Sequence, residues 1–206
     1  MNDRFRSTVQ TIHQELDSPQ PDREKLALLA RAMRWQVTTE RDVLQAVLRL
    51  GERVRGKSTP GFWAVEQAVL EIFCDHAQAE HLPFLLAVFR TRGKHGDDRR
   101  RLALQGLSRI AAHTAHQDAF QALESGLHHP KQDTRGWAIG FIASAYAYRN
   151  QPLPISVTER LWVMALDDKS MDVRVEAATT LAEYGLVPPS LVQEVIAEAQ
   201  AHEDHP

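Results

Sequence analysis

The sequence lacks the features that mark disulfide-linked domains, membrane proteins and secreted proteins. Cys74 is the only cysteine, so no disulfide can form within the chain, and a reducing compartment is expected. No stretch reaches about 18 consecutive apolar residues, the length at which a membrane-spanning helix is expected. Residues 1–6 lack the apolar run of a signal peptide. We therefore predict a cytoplasmic protein with no membrane partner.

Sequence signatures of catalysis are also missing. The chain contains no Gly-x-Ser-x-Gly motif, no phosphate-binding glycine loop and no dinucleotide fingerprint. Its ten histidines invite a metal site, and the best arrangement places His76 and His81 near Cys74 and Asp75. A zinc site needs about four convergent ligands, and neither His-Glu-x-x-His nor paired Cys-x-x-Cys occurs. We predict solvated turn histidines, a buried Cys74, no cofactor and no metal, with an enzyme as the less favoured interpretation.

The composition that remains is that of an ordinary folded protein. The 206 residues are 43% hydrophobic and 25% charged, with a net charge of −3, so the chain can bury a sizeable core. The mild acidity argues against sequence-blind binding of nucleic acid, although a local basic patch stays possible.

The spacing of apolar residues predicts an all-α protein, because it follows the 3.6-residue period of a helix and no strand pattern occurs. Thr114 with Gln117, and Ser156 with Glu159, have the spacing of capping boxes. Residues 52–61 are predicted to be a long connection. The predicted helices span residues 3–16, 23–35, 39–51, 62–75, 82–92, 97–112, 117–128, 133–148, 156–166 and 172–185, with a last helix from residue 188.

The stretch Asp172–Gly185 has two earlier equivalents, which begin at Asp98 and Asp133. The three starts are 35 and 39 residues apart, a period typical of stacked helix pairs. Positions five, six and nine after each acid lie on one side of a helix and are predicted to face the core. They are Ala103, Leu104 and Leu107, then Ala138, Ile139 and Ile142, then Ala177, Ala178 and Leu181.

This Asp-x-Arg-x-x-Ala-apolar-x-x-Leu pattern resembles the second helix of a HEAT repeat, including the repeats of the phycobilisome-lyase type. The resemblance implies a right-handed α-α superhelix, a HEAT-like α-solenoid of about five helix pairs. It implies one helical-repeat domain over 1–206, with diverged repeats in 1–80, clear repeats in 81–185, and a capping helix and tail in 186–206. A helical bundle with chance self-similarity is the alternative.

An arginine follows each repeat acid by two residues, at Arg100, Arg135 and Arg174. We predict that this ladder is structural. The three arginines would pair with Asp98, Asp133 and Asp172, or cap backbone carbonyls between repeats.

The remaining cations and aromatic residues supply candidates for a partner-binding surface. Aromatic and arginine side chains dominate interface hot spots, and the stretch 90–101 is rich in cations that could bind phosphates or an acidic partner. The candidate residues are Arg90, Arg92, Lys94, Arg99, Arg135, Trp137 and Tyr148.

The resemblance to HEAT repeats implies a non-catalytic scaffold that binds a protein partner through its concave surface. The alternative is a HEAT-like DNA-binding protein or an enzyme of the alkylpurine DNA glycosylase type, although no motif of that family matches residue by residue. A positive concave face with a recessed carboxylate would favour the nucleic-acid enzyme. A mixed or apolar groove would favour protein binding.

Overall fold

A computed structural model describes residues 3–188, 190 and 192–197, and these contain helices and connections without a β-strand. The predicted all-α class is confirmed. Of the predicted final helix and tail, residues 186–188, 190 and 192–197 are described, and 192–197 are helical. None of the described helices is both long enough and apolar enough to span a bilayer.

Ten α-helices and one short 3-10 helix, Ala79–His81, are defined in the described part of the chain. Most begin and end within two residues of the sequence prediction. The α-helices are α1 (Asp3–Asp17), α2 (Arg23–Gln36), α3 (Arg41–Val54), α4 (Pro60–His76), α5 (Leu82–Phe89), α6 (Gly96–Thr114), α7 (Gln117–Gly126), α8 (Gln132–Tyr148), α9 (Ile155–Asp167) and α10 (Met171–Glu183).

Both predicted capping boxes are wrong, and two helices end three residues from the predicted position, α3 at Val54 rather than Gly51 and α5 at Phe89 rather than Arg92. His116 and Pro154 are the N-caps of α7 and α9, and neither makes a side-chain cap hydrogen bond, so neither predicted capping box starts its helix. Helix α3 continues past Gly51 to Val54. Gly51 therefore lies inside the helix, where it packs tightly against Phe84 and Val69. The connection after α3 is correspondingly shorter than predicted.

The chain forms two compact units, Met1–Ile110 and Ala111–Pro206, and the division falls within α6. In the N-terminal unit, α1 packs against α2, α3 packs against α4, and α2 packs against α4. In the C-terminal unit, α7 packs against α8, α9 packs against α10, and α8 packs against α10. Each unit therefore consists of sequential helix pairs whose second helices lie against each other.

The apolar stripe of the repeat forms the core, as predicted. All nine side chains at positions five, six and nine after the repeat acids are fully buried. The position directly after each acid is buried as well, at Arg99, Thr134 and Val173. The acids themselves lie in the first helical turn, where they meet the positive end of the helix dipole.

The two units carry opposite net charge, which the overall value of −3 conceals. Residues 1–110 contain 18 Lys and Arg against 14 Asp and Glu, a net charge of +4. Residues 111–206 contain 6 Lys and Arg against 13 Asp and Glu, a net charge of −7. The overall net charge therefore describes neither unit.

Candidate functional site

A groove in the C-terminal unit lies between α8 and α10 and has a volume of about 530 Å³. Its walls combine small, aromatic and acidic residues at helical spacing. The lining residues are Gln132, Asp133, Gly136, Trp137, Gly140, Phe141 and Ser144 from α8, with Ser170, Asp172, Val173 and Glu176 from the start of α10.

Small residues form the floor of the groove along α8. Gly136, Gly140 and Ser144 are four residues apart, so they lie in one row on the helix. A Cβ at Gly140 would lie 3.4 Å from Oε1 of Glu176, whereas a Cβ at Gly136 would meet no atom within 4 Å. The groove is therefore open beside Gly136, and the carboxylate of Glu176 lies over Gly140.

Aromatic rings form the adjacent row of the same helix. Trp137 and Phe141 are partly exposed and are also four residues apart, and Val173 of α10 is buried beside them. Tyr148 falls near this row, roughly 16 Å along the helix axis from Trp137. Its side chain is 61% exposed, and its ring lies 4.5 Å from that of His113. Tyr148 thus adds one exposed aromatic ring on α8 beyond the groove.

Three carboxylates complete the lining. Asp133, Asp172 and Glu176 are exposed, and in the described part of the chain none of them has an ion-pair partner. No lysine or arginine occurs among the described residues that line the groove. Partial desolvation, with a smaller contribution from Glu183, raises the pKa of Glu176 above its ordinary value. The groove is therefore an apolar surface edged by uncompensated negative charge.

Arg135 lies on a different side of α8 from the groove. Its Nε and Nη2 donate to the two carboxylate oxygens of Asp168 at 2.7 and 2.6 Å, and Nη1 donates to the carbonyls of His129 and Pro130. The guanidinium thus joins the loop before α8 to the loop before α10. Its predicted structural role is confirmed, but its acidic partner is Asp168 rather than Asp133.

The other two arginines of the ladder also have structural partners. Arg174 Nε donates to the carbonyl of Ala165 at 3.3 Å, so it caps a carbonyl of α9 within its own helix pair rather than one between repeats. Arg100, nearly buried, pairs with Asp97 of its own helix rather than with Asp98. The repeat pattern therefore predicts that each arginine has a structural partner, but it does not predict which carboxylate the arginine contacts.

Four of the five predicted basic candidates lie in the N-terminal unit, whereas Arg135 lies in the C-terminal unit. Arg90, Arg92 and Lys94 are exposed in the loop before α6. Arg99 is fully buried, with Nε and Nη2 donating to Glu66 at 3.0 and 2.7 Å. A partner cannot reach this guanidinium, so we exclude Arg99 from any binding surface. Trp137 and Tyr148 are in the C-terminal unit, so the predicted candidates are divided between the two units.

The cysteine and histidines near residue 75 have separate environments. Burial, with a smaller contribution from Asp75, raises the pKa of Cys74 to about 12, and its thiol donates to the carbonyl of Leu102. His81 is fully buried against Phe73 and accepts a hydrogen bond from the backbone. Within the described residues, no group of three or more potential ligands is arranged to hold a metal ion.

The sequence analysis missed Asp172, Glu176, Gly136, Gly140 and Phe141 as groove residues. A signal for them was present, since each row repeats at four-residue spacing on α8 or α10. This four-residue spacing does not by itself indicate a groove, because glycine rows and exposed acids are common on helices. Only the packing of α8 against α10 shows that these rows face each other.

Comparison with protein-family models, with curated proteins and with solved structures found no match to this chain. The resemblance to HEAT repeats therefore stays a prediction. The geometry and charge of the surface are the remaining indications of function.

Proposed function

We propose that this protein is a non-catalytic binding module whose groove between α8 and α10 receives an extended, basic segment of a partner protein. The observation that carries the proposal is the pairing of exposed aromatic surface, at Trp137 and Phe141, with three uncompensated carboxylates. An arginine or lysine of the partner would lay its aliphatic stem on the rings and direct its charge to the acids.

The anatomy of the groove fits a peptide. Protein interfaces combine a central apolar or aromatic anchor with a polar rim. Here Trp137, Phe141 and Val173 supply the centre, and Asp133, Asp172 and Glu176 supply the rim. The row from Trp137 to Tyr148 is roughly 16 Å long, which matches about five residues of extended chain.

The charge of the C-terminal unit supports a cationic partner. With a net charge of −7, this unit attracts basic segments over a distance of about one Debye length. The same charge disfavours the alternative of a glycosylase acting in this groove. A phosphate backbone would meet carboxylates there without a lysine or arginine among the described lining residues.

We also propose that the helix pairs are HEAT-like repeats and that the protein is cytoplasmic. The buried repeat stripe and the packing of second helices within each unit support the first proposal. The single cysteine supports the second. The right-handed superhelix of about five pairs stays a prediction.

The test is a selection of displayed random peptides against the wild-type protein, followed by affinity measurement on the selected sequences. We expect the selected peptides to share arginine or lysine next to an apolar residue. The variant Gly136→Leu fills the open space beside Gly136 and should weaken binding at least about tenfold, as expected for a blocked anchor pocket. Removing one carboxylate, with Glu176→Gln, should weaken binding by about two- to fivefold.

The matched control is Gln121→Leu, which adds the same side chain to an exposed position of α7 in the same unit. It should bind the selected peptides as the wild type does. Selected peptides that are not basic, or that bind Gly136→Leu as tightly as Gln121→Leu, would rule out this groove as the binding site.

A further inference from the structure

The N-terminal unit has a second charged surface, formed by two loops that the sequence separates by more than 30 residues. One loop precedes α4 and carries Arg55 and Lys57, and the other precedes α6 and carries Arg90, Arg92 and Lys94. A Cβ on Gly56 would lie 3.6 Å from Thr91, so the loops touch. We call these five exposed cations the basic edge.

A buried ion pair holds the two loops together. Arg99 donates to the carbonyls of Lys57, in the first loop, and Lys94, in the second. Its partner Glu66 accepts a hydrogen bond of 2.9 Å from the backbone amide of Gly56. The acceptor is the carboxylate oxygen that receives no hydrogen bond from Arg99. One guanidinium and one carboxylate thus fix the backbone from which the five cations project.

The five cations are uncompensated. None has a carboxylate within ion-pair distance in the described part of the chain, and Lys57 instead lies 4.9 Å above the ring of Phe62. Of the nearby acids, Asp97 is already paired with Arg100. Only Glu52 and Asp98 remain exposed close in sequence to these loops. Like charges this close together repel each other. The repulsion lowers the stability of the folded protein and favours the binding of an anionic partner.

We propose that the basic edge binds the phosphate backbone of a nucleic acid. Three of its five cations are arginines, whose planar forks match phosphate oxygens. The adjacent α4 begins without an acidic residue in its first turn, so its free amides add positive potential.

A protein partner would need an apolar centre, which the basic edge lacks. The large exposed hydrophobic side chains described in the N-terminal unit, Leu28 and Trp35, lie on α2 and not on the two loops. The edge therefore offers charge without an anchor, as expected for phosphate contacts that carry no sequence information.

The mild acidity of the whole chain does not oppose this proposal. The acidic excess belongs to residues 111–206, whereas residues 1–110 carry a net charge of +4. Salt largely screens interactions between exposed charges that are more than about 8–10 Å apart. The local excess of positive charge therefore determines which molecules the edge attracts.

The test measures binding of a fluorescein-labelled DNA duplex about two helical turns long by fluorescence anisotropy, as a function of salt. If each cation neutralises one phosphate, the logarithm of the association constant should fall with the logarithm of salt with a slope of about −4.5. The triple variant R90A/R92A/K94A should reduce that slope to about −1.8. Since the three side chains are exposed and repel one another, its thermal stability should be equal to or slightly higher than that of the wild type.

The matched control is R6A/R31A/R41A, which removes the same net charge from exposed positions of the N-terminal unit outside the basic edge. It should retain the wild-type slope. The proposal is overturned if the two triple variants have equal slopes, if the duplex does not bind at low salt, or if polyglutamate competes as well as unlabelled duplex. The last outcome would indicate an acidic protein partner.

Discussion

Arg99 donates two hydrogen bonds to one carboxylate oxygen of Glu66, at 3.0 and 2.7 Å, and both side chains are inaccessible to solvent. A buried pair of this kind loses stability when one member is removed, because the other charge then stays buried without compensation. This pair also determines the structure of the basic edge, since its remaining donors and acceptor hold both loops.

We expect Glu66→Gln to lower the free energy of unfolding by about 3 kcal/mol or more, measured by urea denaturation. The control is Glu71→Gln in the same helix, where Glu71 pairs with Arg34 at the surface. An exposed pair contributes about 0–1 kcal/mol. Equal losses in the two variants would contradict the structural role of the buried pair.

Asp168 gives stability a specific dependence on pH. Burial disfavours its charged form, but hydrogen bonds from Arg135 and from the amide of Ser170 outweigh burial and hold its pKa below the ordinary value of 3.8. The stability that the charged Asp168 contributes is therefore fully present above pH 3.8. It is lost as the pH falls through the lower pKa of the folded state. We expect the stability difference between wild type and Asp168→Asn to be constant from about pH 7 to 5 and to shrink below about pH 4. The control is Asp167→Asn, which changes an exposed carboxylate one residue away that accepts no hydrogen bond from Arg135.

Gly136 and Gly51 should respond oppositely to alanine. Both are within helices, but Gly136 faces open space, whereas a methyl group on Gly51 would lie 2.8 Å from Phe84 and from Val69. Gly136→Ala should raise the free energy of unfolding by up to about 1 kcal/mol, because alanine loses less entropy in a helix. Gly51→Ala should lower it by about 1–3 kcal/mol through overpacking. Thermal and urea unfolding of the two variants would check this contrast.

Peptide binding in the groove should weaken in mild acid. Desolvation raises the pKa of Glu176 above 4.5, and Glu183 adds to the effect, so this carboxylate becomes neutral at a higher pH than an ordinary glutamate. A cationic peptide loses one attraction as pH falls through that raised pKa. We expect affinity, measured by titration from pH 7 downward, to decline earlier for wild type than for Glu176→Gln. Parallel profiles would exclude Glu176 as a contact.

The thiol of Cys74 should be unreactive in the folded protein. With a pKa of about 12, its thiolate fraction at pH 8 is about one in ten thousand. Reaction with a chromogenic disulfide should therefore be slow for the native protein and fast after unfolding in urea. Rapid reaction of the native protein would mean that the region around Cys74 opens readily.

Part of the candidate site was within reach of sequence reasoning. Trp137 and Tyr148 were identified from residue type and helix position, and both are partly or largely exposed. The burial of Arg99 was also within reach, since it occupies the repeat position that Thr134 and Val173 occupy in the later copies. Arginine at that position looked like surface charge because its buried partner, Glu66, lies 33 residues earlier, outside any repeat.

The sequence by itself determined the helical class, most helix boundaries and the buried stripe of the repeat. These follow from local periodicity and from turn-forming residues, which act within a few positions of the chain. Only the tertiary structure decided that Arg135 pairs with Asp168, that Glu66 and Arg99 join two loops, and that acids of α10 face the aromatic row of α8. Those choices depend on which helices pack together, because a charged side chain selects among partners brought near by packing rather than by sequence.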